Sequence, residues 1–135
     1  MQQIRISHEV LSGGKQYKRA ELAALWGLRG IQGIARGVVT PASTPLIIFF
    51  VTKEKQKSFT QYDDDLCGGE LHMDGEEQGA ADKRIVKAQI TGDTVILFYR
   101  HKHHNPFVYK GRVLLLNHEF RAGKPTRFSF TLLDC

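Results

Sequence analysis

Apolar positions along the chain follow two periods, and the change from one to the other marks its elements. Leu46–Val51 (L-I-I-F-F-V) is unbroken, as expected of a strand buried on both faces. D-T-V-I-L-F-Y-R, ending at Arg100, has the same character. N-P-F-V-Y-K-G-R-V-L-L-L alternates instead. That predicts a half-buried strand with Phe107, Tyr109, Val113 and Leu115 on one face and Lys110 and Arg112 on the other. T-R-F-S-F-T-L-L predicts a last strand with Phe128, Phe130 and Leu132 inward. Ile4–Val10 reads as a first strand, followed by a turn at S-G-G-K.

Two segments carry the helical period. In Y-K-R-A-E-L-A-A-L-W-G, Leu22, Leu25 and Trp26 share a face and Gly27 ends the run. A-A-D-K-R-I-V-K-A-Q-I predicts a second helix, stopped near T-G-D. G-I-Q-G-I-A-R-G reads as a loop leading into a strand. Many short strands with two helices predict one α+β domain over residues 1–135. Its core would be a curved, mainly antiparallel sheet or β-barrel.

Charge changes the picture. Of 14 acids, eight lie between Tyr62 and Asp82, where no Lys or Arg occurs, so all 19 bases face six acids elsewhere. That basic remainder suits an anionic polymer. The longest apolar run is too short to span a bilayer, and the first residues lack the apolar stretch of a signal peptide. A cytoplasmic location without a membrane partner is the expectation. Two cysteines, Cys67 and Cys135, suggest no disulfide framework.

Catalytic signatures are missing: no P-loop, no G-x-G-x-x-G and no nucleophile elbow. Two clusters stay open as metal ligands. Asp63 and Asp65 would converge on one face of a strand, and His101, His103 and His104 crowd one loop. A solvated acidic turn and a surface loop are the plainer readings of the same residues. A tyrosine beside carboxylates, as in Q-Y-D-D-D, also suits base recognition, the ring stacking and the acid accepting from an exocyclic amine.

The order of several motifs resembles the SRA (YDG) domain, part of the PUA-like superfamily. It is nearest to prokaryotic versions found with HNH nucleases and restriction-linked helicases. The motifs are Arg19-Ala20-Glu21-Leu22, Gly30-Ile31-Gln32-Gly33, the strand Leu46–Val51 and Tyr62-Asp63-Asp64-Asp65. Further along come Met73-Asp74-Gly75-Glu76-Glu77-Gln78, the helix from Asp82, the strand Val95–Arg100 and Pro106-Phe107-Val108-Tyr109-Lys110-Gly111. Together they span about residues 17–116. The resemblance implies a PUA-like fold and a module that flips a modified cytosine, 5-methylcytosine or 5-hydroxymethylcytosine, out of duplex DNA. It would do no chemistry and need no cofactor, and it would serve a nuclease or helicase effector of a restriction or repair system near the prokaryotic nucleoid.

By the same resemblance Tyr62 would stack on the base and Asp65 read its amine. Asp63, Met73, Asp74 and Gly75 would line the pocket. Arg29 and Gln32 would lie near the gap in the duplex, and Lys83, Arg84, Arg100, Lys102 and His103 would hold phosphate. A PUA-like RNA-binding domain and a metal-dependent nuclease using Asp63 and Asp65 remain the alternatives.

Overall fold

The structure, a computed structural model, describes residues 6–41, 44–52, 70–74, 82–121 and 123–133. Over these the chain runs β1 (Gln16–Tyr17), α1 (Arg19–Leu25), a 3-10 turn (Gln32–Ile34), β2 (Val38–Val39) and β3 (Leu46–Thr52). It continues with β4 (Glu70–Asp74), α2 (Asp82–Thr91), β5 (Thr94–Arg100), β6 (Phe107–Arg121) and β7 (Lys124–Leu132). The strands form one sheet ordered β2-β3-β5-β6-β7-β4, with β1 pairing to β6. Only β3 and β5 are parallel; every other pair is antiparallel. The fold is therefore α+β. Its end strands β2 and β4 do not pair with each other, so the sheet is open rather than a closed barrel among the described residues.

The apolar run in β3 explains the layering. All seven of its residues are buried, so both faces of the sheet must be covered. On one face Ile47, Phe49 and Val51 pack with Val95, Leu97 and Tyr99 of β5, Phe128 and Phe130 of β7, and Ile85 and Ala88 of α2. On the other, Ile48 and Phe50 pack with Ile96 and Phe98, with Phe107 and Tyr109 of β6, and with Leu22 and Trp26 of α1. Phe98 is stacked on Phe50, with centroids 5.0 Å apart. No helix among the described residues is long and apolar enough to cross a membrane.

Strand β6 departs from simple alternation. A bulge between Leu97 and Phe98 of β5 faces Gly111, whose φ of 91° a side chain would oppose. The extra residue swaps the faces. Phe107 and Tyr109 enter the α1-side core, while Val113 and Leu115 pack on the α2 side. The sequence-predicted single stripe is thus two half-stripes, and the glycine inside the strand is the signal for it.

Three further expectations change. Residues 6–10 form no strand; Leu11 N–H bonds His8 O at 3.1 Å in a turn. The segment instead serves Trp26, whose buried indole N–H donates to Ser7 O at 3.0 Å. Leu25 leaves the apolar face of α1, being 48% exposed, and Ala23 is buried in its stead. Glu70–Asp74, given no element above although E-L-H-M-D alternates, pairs with β7 from Glu70 opposite Thr131 to Asp74 opposite Arg127.

Helix α2 is fastened by Arg84, which lies in the candidate phosphate set. Its Nε bonds Asp93 Oδ2 at 3.1 Å, and Nη2 reaches the carbonyls of Thr44 and Leu46 at 2.7 and 3.2 Å. That guanidinium clamps the helix and the start of β3 together. Arg84→Ala is expected to cost about 1.5–3 kcal/mol, the worth of a charged hydrogen-bond set, read from the urea unfolding midpoint.

Candidate phosphate site at the β5–β6 turn

Two arginines meet at the carboxyl ends of the parallel pair, where open sheets with parallel strands commonly hold ligands. Register sets Arg100, the last residue of β5, opposite Thr52, the last of β3. Arg100 Nε donates to Thr52 Oγ1 at 2.8 Å. Its Nη1 donates to Asn105 O at 3.2 Å, and Nη2 lies 3.2 Å from His103 Nδ1, which accepts. The guanidinium sits over the Phe107 ring, 4.1 Å from its centroid. Arg100 therefore organises the turn 101–106. Asn105 N–H closes that turn on Lys102 O at 3.2 Å, and His104 takes a left-handed φ of 74° within it.

Arg19 comes from the opposite direction. It opens α1, a place where the helix dipole disfavours a cation. Its Nε donates to Ile34 O at 2.8 Å, and its guanidinium lies 4.5 Å from the Phe50 centroid and 5.0 Å from that of Phe107. Phe107 is thus shared by two guanidinium groups. Each ring contributes a cation–π attraction of about 0.5–2 kcal/mol, so aromatic faces stand in for a counter-ion.

That substitution is incomplete. Burial, first, and the charge of Arg100, second, hold the Arg19 pKa below the ordinary guanidinium value; burial lowers that of Arg100. A folded-state pKa below the unfolded one makes each charge a cost of folding. The cost is fully present at every pH below the folded-state pKa and is lifted only above it. Among the described residues, neither arginine has a carboxylate partner, and each keeps N–H donors unspent. Two half-buried cations with donors to spare, and no anion beside them among the described residues, make a candidate site for one.

The structure sorts the sequence-predicted residues. Arg100, Lys102 and His103 come together in this turn; Lys102 and His103 are exposed. Arg29 and Gln32 are exposed around the 3-10 turn that follows α1, in the same stretch whose Ile34 and Arg36 carbonyls accept from Arg19. Lys83 is exposed on α2. Met73 and Asp74 end β4, beside Phe128 and Arg127 of β7. Tyr62, Asp63, Asp65 and Gly75 lie outside the described residues, as do Cys67 and Cys135. Among the described residues no cluster of three or more His, Cys, Asp or Glu could hold a metal.

The sequence alone points to no functional role for Arg19 and predicts Phe107 as an inward strand residue. The burial of Phe107 is right, but its second task, carrying two cations, needs the tertiary structure. The one local signal was a base in the first turn of a helix.

Arg19→Met should keep the packing on Phe50 and Phe107. Its stability is expected within about 1 kcal/mol of wild type or above it, because a desolvated charge is removed. Millimolar sulfate or pyrophosphate should raise the wild-type melting temperature at low ionic strength and leave that of Arg19→Met and Arg100→Met unmoved. A scan against family models and a search of curated proteins match nothing, so the reading of this site rests on its own chemistry.

Proposed function

We propose that this chain is a DNA-binding reader module that grips phosphate through Arg19 and Arg100 and recognises a modified cytosine flipped from the duplex. The observation that carries the phosphate grip is the shared Phe107 ring under two guanidinium groups, with no carboxylate partner among the described residues. A phosphodiester supplies the missing negative charge and acceptors for the spare N–H groups. Lys102 and His103, exposed on the turn that Arg100 organises, extend the contact. The basic remainder of the chain, 19 Lys and Arg against few acids outside the acidic stretch, supplies the long-range attraction.

The base-reading half of the proposal is supported by the resemblance of the motifs to SRA domains. Tyr62 would stack on the base and Asp65 accept from its amine. Extrusion costs a few kcal/mol, and stacking with one base-edge contact returns a similar amount. The module would deliver specificity to a nuclease or helicase effector and do no chemistry itself.

Fluorescence anisotropy at about 150 mM salt tests both halves, since non-specific affinity is already weakened there. One duplex would carry cytosine, 5-methylcytosine, 5-hydroxymethylcytosine or N6-methyladenine. A preference of tenfold or more, about 1.4 kcal/mol, for one modified cytosine is expected. Arg100→Met should weaken all four alike and make the slope of log K against log salt shallower by about one. Tyr62→Ala should weaken only the preferred duplex, by about 1–3 kcal/mol. Equal affinity for all four probes would remove the base-reading half; Arg100→Met binding like wild type would remove the phosphate half.

A further inference from the structure

The paired arginines also constrain which phosphate they take. Arg19 reaches Phe107 from α1 and Arg100 from β5, with guanidinium carbons 5.0 and 4.1 Å from the ring centroid. Neither has a carboxylate partner among the described residues. The two also repel: after burial, the first cause, the charge of Arg100 holds the Arg19 pKa down. An internal phosphodiester brings one negative charge to this pair and leaves the repulsion half relieved. A phosphate monoester carries nearly twice that charge at neutral pH, because its second ionisation lies at about pH 6. We infer that the Arg19–Arg100 site prefers the terminal phosphate monoester of a DNA end to a phosphodiester inside the strand.

The free donors agree with the charge. Arg19 spends Nε on Ile34 O at 2.8 Å and Nη2 on Arg36 O at 3.4 Å, which leaves Nη1 unspent among the described residues. Arg100 spends one N–H at each of its nitrogens, on Thr52 Oγ1, Asn105 O and His103 Nδ1, so Nη1 and Nη2 each keep a second. A monoester presents three terminal oxygens to these donors, one more than a diester. The existing bonds hold both guanidinium planes before a ligand arrives, so little side-chain freedom is lost on binding. Burial adds a steric reason. Both arginines are half-buried, and the Phe107 ring they share is buried. A strand running through the site needs room for chain on both sides of its phosphate, a strand end on one side only.

This preference presupposes that Arg19 and Arg100 grip DNA phosphate, and narrows that reading: the pair holds an internal phosphate, and an end more tightly. A nuclease that leaves phosphate on the strand it cuts makes such ends.

Fluorescence anisotropy at about 150 mM salt tests it, with one short duplex whose 5′ ends carry hydroxyl, phosphate or phosphate capped as its methyl ester. The cap keeps the phosphorus and turns the monoester into a singly charged diester. A duplex phosphorylated at its 3′ ends, and inorganic phosphate as competitor, separate the sources of a monoester. A phosphorylated duplex should bind tenfold or more tighter than both the hydroxyl and the capped duplexes. Arg19→Met should bring phosphorylated and capped duplexes to within about twofold of each other. Lys87→Ala removes one exposed positive charge on α2 and should leave the preference in place. Thermal unfolding confirms that each variant is folded. Equal affinity of wild type for phosphorylated and capped duplexes would overturn the inference, and weakening of both by Arg100→Met would leave the DNA grip standing without it. A preference that survives in folded Arg19→Met would overturn it too, and so would inorganic phosphate binding as tightly as the phosphorylated end. Failure to bind any of the duplexes would remove the DNA reading and the end preference together.

Discussion

The parallel pairing of β3 with β5 is the constraint on which the rest of this molecule depends. Seven residue pairs, Leu46 with Thr94 through Thr52 with Arg100, place two apolar strands side by side. Both strands are buried on both faces, so neither face can be left to water. One face takes α2, the other takes α1 and the turn behind it. A parallel neighbour also requires a crossover, which α2 supplies between β4 and β5. The pairing ends where Arg100 meets Thr52, and there the hydrogen bond to Thr52 Oγ1 converts strand register into the placement of a guanidinium.

Much of this was legible in the sequence, and the failures have physical causes. Continuous apolar runs identify β3 and β5 because burial on both faces leaves no polar position. Alternation identifies β7, with Phe128 and Phe130 inward. Alternation failed in β6 because a bulge at Gly111 changes the facing by one residue, and period alone does not register an insertion. It failed at Leu25 because a seven-residue helix shows too little of its period to choose between neighbouring positions. Strand β4 alternates over only five residues, E-L-H-M-D, too short a run beside an acidic stretch to stand out before its pairing with β7 is known.

The candidate site was legible only in part. Arg100 stood out as an arginine closing an apolar strand next to a histidine-rich turn. Arg19 and Phe107 did not, because their roles come from elements far apart in sequence converging on one ring. Arg84 shows the opposite case. A base beside another base on a helix suggests a phosphate contact, and hydrogen bonds to Asp93, Thr44 and Leu46 show that this one also fastens the helix. The two situations differ in compensation. Arg84 has a carboxylate and carbonyls around it; Arg19 and Arg100 have aromatic faces, a few carbonyl or hydroxyl acceptors and each other's repulsion. Among the described residues the pair is uncompensated, which is the physical case for the proposed phosphate site.

The most direct test follows the arginine Nε–H signals by heteronuclear NMR while a short duplex is added. The account predicts that the Arg19 and Arg100 resonances shift together and saturably, reversed by salt, while Arg84, locked to Asp93, stays in place. Movement of Arg84 with Arg19 and Arg100 unmoved would contradict it, placing the nucleic-acid contact on α2 and leaving the paired cations on Phe107 as a matter of folding alone.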